Sequence, residues 1–398
     1  MGRRSYTIRE RLQAEACTAC ALCAEVCPAV SASGDAKLSG LWRLDGLKRL
    51  NRARARLLPG LLERKIRDPE RLRRFGDRVF RCTLCGRCEE ICPSGILLRD
   101  IWVSLREDMV DSRASPDRVE TIFKNLTSAH NVFAEEDAER AAWVEEMRRP
   151  PRDGYVRAKA DVVYFTGCVA AYFPMAQQIP IALAELFEAL EVDFTLLGPE
   201  EWCCGFPLVG AGMRDRIGQT VAHNVEAVLE KGASTVVFAC PTCYEMWRSR
   251  YPWRRHGLRL HHATEFLALR MAGRALALRK ADLTVTYHDP CDLGRGAGVF
   301  EPPRQILRSI PGIRLVELTE NRRSSRCCGG GGNLEMIDPD LAGRIAKQKI
   351  DSILETGVRT VVTACQQCVR TLASSARRNK VALEVLDIVQ LVRRALET

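Results

Sequence analysis

The segment Leu229–Val237 reads LEKGASTVV, and the segment Leu354–Val362 reads LETGVRTVV. Both end in a β-branched run that predicts a buried strand, and a C-x2-C pair follows each run within a few residues. Three pairs of cysteines repeat at nearly the same distance: Cys168 and Cys291 are 123 residues apart, Cys203 and Cys327 are 124 apart, and Cys240 and Cys365 are 125 apart. A fixed period of this kind indicates one structural unit that has been duplicated.

Strand-like and helix-like segments alternate from residue 158 onward. Amphipathic stretches of helical length, such as Arg214–Glu230 and Pro339–Glu355, lie between short β-branched runs. This alternation predicts βαβ units with parallel sheets. The predicted strands are Asp161–Thr166, Thr235–Ala239, Leu283–Tyr287 and Thr360–Ala364.

The composition is typical of a soluble globular protein. Of the 398 residues, 46% are hydrophobic and 28% are charged, which suits two or three domains. No apolar run approaches the roughly 18–20 residues of a membrane helix, and Met1–Tyr6 leads into no hydrophobic signal core. We therefore expect a cytoplasmic protein that reaches a membrane only through a partner. In a reducing cytosol, its eighteen cysteines are expected to be metal ligands or redox groups rather than disulfides.

Eight of the cysteines form two groups near the N-terminus. The first group reads CTACALCAEVCP over Cys17–Pro28, and the second reads CTLCGRCEEICP over Cys82–Pro93. Both follow C-x2-C-x2-C-x3-C-P, the spacing of bacterial ferredoxins with two [4Fe–4S] cubane clusters, in which the fourth cysteine of each group binds the other cluster. The spacing predicts one cubane held by Cys17, Cys20, Cys23 and Cys92, and a second held by Cys82, Cys85, Cys88 and Cys27.

Zinc is the alternative metal for cysteines at this spacing. Zinc sites usually draw on two close pairs of cysteines that are well separated, whereas here four cysteines fall within eleven residues, twice. Iron–sulfur clusters are therefore predicted. A zinc-based interaction protein or nucleic-acid protein is kept as an alternative hypothesis.

Together these signals predict an α+β protein of several domains. We expect an α-helical ferredoxin-type domain with two clusters at residues 1–110 and a helical linker at residues 111–157. Two cysteine-rich α/β repeats with parallel sheets are predicted to follow, at residues 158–280 and 281–398.

The basic character of the chain has several interpretations. The formal net charge is +10, and arginine is densest in Arg43–Arg56 and Arg64–Arg81. Part of this excess offsets the clusters, since four thiolates around a cubane leave roughly two negative charges. The rest fits a solvated helical face, a docking surface for an acidic redox partner, or nucleic acid. We expect no nucleic-acid partner.

Each repeat carries five cysteines at matching spacing. In both repeats, thirty-four or thirty-five residues separate a single cysteine from a CCG triplet, and the triplet from a C-x2-C pair. Adjacent cysteines do not easily share one small tetrahedral site and suit a larger cluster, while the glycine allows close backbone approach to sulfide.

This arrangement, present twice behind a ferredoxin module, resembles the catalytic subunit of heterodisulfide reductase in its fused, D-type form. The resemblance covers nearly the whole chain and implies that each set holds a noncubane [4Fe–4S] cluster, with a disulfide substrate between the two. It assigns the catalytic ligands of one cluster to Cys168, Cys203, Cys204, Cys240 and Cys243, and those of the other to Cys291, Cys327, Cys328, Cys365 and Cys368.

The resemblance further implies an oxidoreductase subunit that acts on sulfur groups. Electrons would enter at the ferredoxin cubanes and run to the C-terminal pair, where a disulfide is reduced or the matching thiols are oxidised. The alternative is an electron-transfer subunit of a glycolate, lactate or glycerol-3-phosphate dehydrogenase complex, because similar domains occur there. The implied partner is a redox subunit, namely a flavoprotein, a ferredoxin or a membrane cytochrome.

Other residues near the cysteines have mainly structural interpretations. The run Gly329–Gly332 lacks the lysine of a P-loop and is interpreted as a loop that hugs a cluster, with a substrate cradle as the alternative. His288 is interpreted as part of a turn rather than a proton donor, and His223 as a packing or surface residue rather than a ligand. Trp202 is expected to shield a cluster, and contact of Arg295 with an acidic substrate group is the less favoured interpretation.

Overall fold

The computed structural model describes residues 6–55, 68–273 and 276–396. The chain forms two units, each discontinuous in sequence. The first comprises Met1–Phe123, Pro207–Arg216 and Arg326–Gln348, and the second comprises Lys124–Phe206, Ile217–Ser325 and Lys349–Thr398. Arg56 and Arg64, which bound the two predicted basic stretches, lie outside the described residues.

The first unit is built from helices around one buried helix, Leu98–Asp111, in which Ile101, Trp102, Leu105 and Met109 are at most 1% exposed. Thr7 and Glu10 form a capping box that starts the first helix of the unit. Among the described residues, the helices that lie wholly in this unit are Ile8–Glu15, Leu22–Glu25, Pro28–Ser33, Gly40–Ala55, Pro69–Phe80, Arg87–Glu90, Leu98–Asp111 and Leu334–Ile337. Three further helices, Arg118–Ser128, Phe206–Gly210 and Pro339–Leu354, begin in one unit and end in the other.

The second unit contains two four-stranded sheets, one from each repeat. The strands are β1 (Val162–Phe165), β2 (Phe194–Leu196), β3 (Thr235–Phe238) and β4 (Arg259–His262), then β5 (Leu283–His288), β6 (Ile313–Glu317), β7 (Thr360–Thr363) and β8 (Glu384–Asp387). Their orders are β2-β1-β3-β4 and β6-β5-β7-β8, and every pairing is parallel. The predicted fold class is confirmed, since the same order in both sheets is what a duplicated βαβ unit produces.

Helices cover the sheets and join the repeats. Gln178–Ala189 packs against Ile388–Ala395, and Ala263–Gly273 packs against Glu301–Ser309, so each contact pairs one repeat with the other. Arg393 of the last helix makes two hydrogen bonds to the Glu185 carboxylate. The remaining helices of this unit are Cys168–Tyr172, Gly218–Glu230, Pro241–Arg250 and Gln366–Arg378.

One predicted helix is shorter in the structure. The segment predicted as Arg214–Glu230 is helical only from Gly218, because Arg214–Arg216 forms a separate 3-10 turn in which Arg214 donates to the Glu107 carboxylate at 2.9 Å. In the part of the chain that the structure describes, no helix combines the length and apolar character needed to cross a membrane.

Candidate metal centres

Cys17, Cys20, Cys23 and Cys92 lie together in the first unit, where all four line one cavity. Burial, and then the charges of the other three thiols, raise the pKa of Cys23. Gly40 comes so close that a Cβ there would lie 3.3 Å from the Cys23 Sγ. The structure thus brings together the four cysteines expected around one cubane.

Cys27, Cys82, Cys85 and Cys88 form the second group of the same unit. Burial, followed by the charges of its three neighbours, raises the pKa of Cys88 well above its usual range, and burial raises the pKa of Cys27 to about 11. Thiols that resist ionisation together suit a metal centre, because a coordinated thiol is deprotonated by the metal.

The indole N–H of Trp102 supports the fit of this second group to a cluster. This N–H group faces the Cys88 thiol and acts to lower the pKa of that thiol. No acceptor among the described residues, however, lies in hydrogen-bond geometry with the Trp102 Nε1 atom. A buried donor left unsatisfied is costly. A cluster sulfur would give it an acceptor, because sulfurs of such clusters accept hydrogen bonds.

The two loops have the same backbone conformation around their cysteines. Ala19 and Ala21 of the first loop have φ values of 59° and 65°, and Leu84 and Gly86 occupy the equivalent positions of the second with 52° and 73°. Left-handed conformation costs non-glycine residues free energy and persists only where the surroundings enforce it. The loops are therefore shaped to turn main-chain N–H groups inward, as at Leu84, whose N–H lies 3.4 Å from Cys82 Sγ.

The glycine run after Cys328 lies directly against the second loop. A Cβ at Gly331 would lie 2.7 Å from the Thr83 carbonyl oxygen, and one at Gly332 would lie 2.4 Å from that of Cys82. Gly332 also has a φ of +62°. Close backbone approach to the second cysteine loop therefore requires these glycines, and contact of the run with a cluster itself stays a prediction.

The five cysteines of the first repeat converge in the second unit. Cys168 follows β1, the pair Cys203–Cys204 follows β2, and Cys240 follows β3, so all lie beyond the carboxyl ends of parallel strands, where such sheets place their sites. Hydrogen bonds between the thiols link the five in the order Cys168, Cys203, Cys204, Cys243 and Cys240. All five are buried.

The ionisation of these thiols is tightly coupled. The hydrogen bond from Cys203 lowers the pKa of Cys204 to about 6, whereas donation to their neighbours raises the pKa values of Cys168 and Cys243 well above the usual range. All five cannot carry negative charge in one buried place unless cations compensate them. A set of five soft sulfur donors fits iron in this role.

A buried ion pair holds the turn that carries Cys168. Arg140 Nη1 lies 3.2 Å from Glu201 Oε1 and 3.9 Å from Cys168 Sγ. Burial alone would lower the pKa of Arg140, but the Cys168 thiolate and the Glu201 carboxylate outweigh it and raise that pKa. Glu201 also accepts hydrogen bonds from the N–H groups of Thr166, at 2.7 Å, and Gly167, at 2.8 Å.

The two repeats exchange side chains at their cysteine turns. From the second repeat, Gln366 donates to the Thr166 carbonyl at 2.8 Å and accepts from the Ala170 N–H at 3.2 Å. From the first repeat, Thr242 donates to the Asp292 carboxylate at 2.5 Å. Each C-x2-C helix therefore positions the single-cysteine turn of the other repeat.

Three aromatic rings stack beside the first CCG triplet. His130 stacks on Trp202 at 3.6 Å between ring centroids, and Trp202 stacks on His223 at 3.8 Å. The Cys203 N–H donates to the His130 carbonyl at 2.8 Å. The stacking agrees with a packing role for His223, and the shielding of a cluster by Trp202 stays a prediction. Arg295 binds main chain, donating to the carbonyls of Arg323 and Ser325.

The second five-cysteine set is divided between the units. Cys291, Cys365 and Cys368 belong to the second unit, and Cys327 and Cys328 belong to the first. Within the second unit the Cys368 N–H lies 3.4 Å from Cys365 Sγ, and within the first the Gly329 N–H lies 3.3 Å from Cys327 Sγ. The grouping of these five cysteines around one cluster stays a prediction.

Several residues beside the cysteines carry no sequence signal. Arg140, Glu201 and Trp102 belong to ordinary amphipathic or loop segments, and Gln366, although it lies inside the second C-x2-C pair, contacts the Cys168 turn of the other repeat. They act on cysteines that are at least 14 residues away, except that Glu201 also precedes the first CCG triplet. A pattern of cysteine spacing alone does not locate such residues.

Family models match both parts of the chain. Residues 13–96 match the model described as 4Fe-4S dicluster domain, and residues 162–248 and 285–373 each match the model described as Cysteine-rich domain. The chain is 35% identical to the D-type subunit of dihydromethanophenazine:CoB–CoM heterodisulfide reductase of Methanosarcina acetivorans over 407 residues, which cover 99% of this chain and 96% of that protein. The Methanosarcina mazei protein of the same name is 34% identical at the same coverage.

A more distant relative has a different name. EtfAB:quinone oxidoreductase of Syntrophomonas wolfei is 26% identical over 338 residues, which cover 81% of this chain and 47% of that protein. The similarity to this protein therefore extends over only about half of its length.

Proposed function

The chain belongs to the family of D-type heterodisulfide reductase subunits, which are iron–sulfur oxidoreductases, and we propose that it is the subunit in which a small-molecule disulfide is reduced, or the matching thiols are oxidised. The observation that carries the proposal is the convergence of the five buried thiols that begins at Cys168, in a chain that keeps all ten cysteines of the two sets. Electrons would arrive through two cubanes bound by the eight N-terminal cysteines. A redox partner subunit would supply them.

The residues around the first set suit it to sulfur chemistry. Iron–sulfur clusters supply one-electron transfer and, where iron has an open position, coordination of a substrate sulfur. Arg140 places a fixed positive charge beside Cys168, where it stabilises negative charge on sulfur. Glu201 and Gln366 hold the Cys168 turn in place through its main-chain groups, and burial of the five thiols excludes water.

A purely electron-transferring role is less supported. The two Methanosarcina proteins, which match over almost the whole of both chains, are heterodisulfide reductase subunits, whereas the match to the EtfAB:quinone oxidoreductase covers under half of that protein. Complete cysteine sets in both repeats also favour a site that does more than pass electrons.

The test combines metal analysis with turnover. Anaerobically purified chain is analysed for iron, acid-labile sulfide and zinc, and is then assayed with reduced benzyl viologen and the mixed disulfide of coenzymes M and B, glutathione disulfide or cystine. We expect about sixteen irons per chain and oxidation of the dye that depends on one of these disulfides. About eight irons with no turnover of any disulfide would contradict the proposal, and stoichiometric zinc would overturn the cluster assignment itself.

A further inference from the structure

Two arginines are buried in the first unit without a carboxylate partner. Arg43 is 1% exposed and Arg106 is not exposed at all, and no other arginine or lysine in the described part of this unit is buried. Neither makes an ion pair with an Asp or Glu among the described residues. A buried cation normally requires a nearby anion, because desolvation of a charge costs on the order of several kcal/mol unless it is compensated.

Arg106 is surrounded by main-chain carbonyl oxygens. Its Nη2 donates to Phe80 at 3.0 Å and to Cys82 at 2.6 Å. Its Nη1 donates to Gly210 at 2.6 Å and to Gly332 at 2.9 Å. One guanidinium therefore joins the loop that carries Cys82 to the glycine loop that follows Cys327–Cys328.

The loop that Arg106 binds carries Cys82, a ligand of the proposed cubane. Burial lowers the pKa of Arg106 to about 10, and the charge of the Cys82 thiolate opposes this shift. The guanidinium thus stays protonated at neutral pH. The nearby charge of Arg43 lowers the pKa of Arg106, so the two cations repel each other. The negative charge of a cluster held by the cysteine group that includes Cys82 would compensate both.

Arg43 approaches the same group from another helix. Its Nη2 donates to the carbonyls of Arg78, at 3.2 Å, and Arg81, at 3.1 Å, directly before Cys82. Its guanidinium lies 5.8 Å from the centroid of the Trp102 ring, and its charge favours the Cys27 thiolate. Both buried cations therefore act on the cysteines of one group.

The other cysteine group has a different environment. The cavity that Cys17, Cys20, Cys23 and Cys92 line is otherwise lined by uncharged residues such as Leu41, Leu44 and Ile96 in the part of the chain that the structure describes. Reduction adds one negative charge to a cluster, so a buried cation nearby stabilises the reduced form and raises the reduction potential. The two cubanes are therefore expected to differ in potential.

We propose that Arg43 and Arg106 are positioning residues that raise the reduction potential of the cluster held by Cys27, Cys82, Cys85 and Cys88 above that of the cluster held by Cys17, Cys20, Cys23 and Cys92. Electrons then pass from the cluster held by Cys17, Cys20, Cys23 and Cys92 to the cluster held by Cys27, Cys82, Cys85 and Cys88. From there they pass onward past Gly332 toward Cys327–Cys328. The proposal rests on the cubane assignment of the proposed function and is independent of disulfide turnover.

The first measurement is a redox titration of the full anaerobic chain, followed by electron paramagnetic resonance. Cys20→Ser and Cys85→Ser each alter the spectrum of one cluster and so assign the two signals. We expect the couple altered by Cys85→Ser to have the higher potential in the unaltered chain. If Cys20→Ser alters the higher couple, the proposed order is wrong.

The second measurement compares charge variants. In Arg106→Met, the ratio of reduced to oxidised Cys85-group cluster at a fixed potential is expected to fall about tenfold, equal to about 59 mV for a one-electron couple. The other cubane should change less than about threefold. Arg43→Met should act on the same couple, and Arg106→Lys should retain most of the potential because the charge remains.

The matched control is Arg71→Met, which removes the same charge from an exposed position in the same module. A purely structural role for Arg106 predicts lower stability with unchanged potentials, or equal shifts in both cubanes, and either result would overturn the proposal. If Arg106→Met does not bind its full iron, the proposal is decided by the order of the two potentials in the unaltered chain and by the change in potential of the Cys85-group cluster in Arg43→Met. About eight cubane irons without disulfide turnover would contradict the proposed function alone, whereas missing cubane iron in the unaltered chain would contradict both.

Discussion

The two repeats each bury an arginine–carboxylate pair beside their single cysteine, but they build it from different parts of the chain. In the first repeat, Arg140 comes from the segment before the repeat, and Glu201 comes from the residues just before the CCG triplet. In the second repeat, Asp289 lies two residues before the single cysteine, and Arg304 comes from the following helix. Each pair holds the turn after the first strand of its sheet.

The pairs also differ in how fully the cation is compensated. Arg304 makes forked hydrogen bonds to two carboxylates, at 2.8 and 2.9 Å to Asp289 and at 2.6 and 2.9 Å to Glu317. Arg140 meets one fully buried carboxylate and the Cys168 sulfur. Its other carboxylate neighbour, Asp137, lies 3.8 Å away and makes no hydrogen bond to it. Arg140 is therefore a charge partner of the Cys168 sulfur, whereas Arg304 belongs to a structural ion-pair network.

The largest effect is expected when the CCG cysteines are replaced, which tests whether the repeats hold two separate clusters. The double variants Cys203→Ser/Cys204→Ser and Cys327→Ser/Cys328→Ser should each lose about four of sixteen irons. Each should lose at least about 100-fold in disulfide reduction, because loss of a metal ligand exceeds the 10–100-fold effect of its supporting residues. Iron analysis and the viologen assay measure both. Loss of all noncubane iron in either variant would contradict two independent sets.

Neutralising the two carboxylates would sharpen the comparison of the ion pairs. Glu201→Gln leaves Arg140 with the Cys168 sulfur and an Asp137 carboxylate 3.8 Å away that makes no hydrogen bond to it, and should lower the free energy of unfolding by about 3–5 kcal/mol. Asp289→Asn leaves Arg304 paired with Glu317 and should lower it by about 1–2 kcal/mol. Denaturant unfolding under anaerobic conditions gives both values.

The control for this pair is Asp193→Asn, which removes a half-exposed partner of Arg157 and should change stability by less than about 0.5 kcal/mol. A greater loss in Asp289→Asn than in Glu201→Gln would show that the second carboxylate does not protect Arg304. The proposed difference between the pairs would then be wrong.

The segments after the two CCG triplets differ in size for a physical reason. The first repeat has Pro207 and Leu208 where the second has Gly331 and Gly332. In the second repeat these residues pack on the carbonyls of Thr83 and Cys82 within the first unit. Side chains are therefore excluded at these two positions of the second repeat and tolerated at the equivalent two positions of the first.

Gly332→Ala tests this contact. It introduces a Cβ 2.4 Å from a main-chain oxygen at a φ of +62° and should lower the free energy of unfolding by about 2–3 kcal/mol. Gly218→Ala is the control, because nothing lies within 4 Å of its Cβ position and alanine favours the helix that begins there, so a gain of up to about 1 kcal/mol is expected. Equal unfolding midpoints for the two variants would refute the close approach.

Local patterns were sufficient to predict much of the architecture. The β-branched runs at Asp161–Thr166 and Thr360–Ala364 contain β1 and β7, because buried parallel strands need such residues at consecutive positions. The period near 124 residues predicted two copies of one unit, and both sheets have the same strand order. Cysteine spacing likewise anticipated which N-terminal thiols the structure brings together.

Long-range partners were not predictable in the same way. Arg106 binds the carbonyl of Gly332, 226 positions away, and Gln366 binds that of Thr166, 200 positions away. Such contacts depend on how the units fold, and no local spacing encodes them. The helix predicted to start at Arg214 was wrong at its N-terminus for the same reason, since Glu107 holds that arginine in a separate turn.

The smallest effect concerns a pair of equivalent positions, where the first repeat buries a histidine and the second buries an aspartate. His262 ends β4 and Asp387 ends β8, and each directly precedes a helix. Burial lowers the pKa of His262 to about 3 and raises that of Asp387 to about 7. His262 Nδ1 accepts the Thr264 N–H at 3.2 Å, so the neutral ring caps its helix.

His262 should make stability fall in mild acid. The folded state keeps the ring neutral, whereas the unfolded state takes up a proton as the pH drops below about 6.5. The free energy of unfolding is therefore expected to decrease by about 1.4 kcal/mol between pH 7.5 and 5.5 through this residue. His262→Asn keeps a capping acceptor but does not titrate, so the difference between its pH profile and that of the unaltered chain isolates the effect. The raised pKa of Asp387 acts in the opposite direction in both chains, so only the difference between the two profiles counts. Parallel profiles would mean that His262 takes up a proton as readily in the folded as in the unfolded chain, and would contradict the prediction.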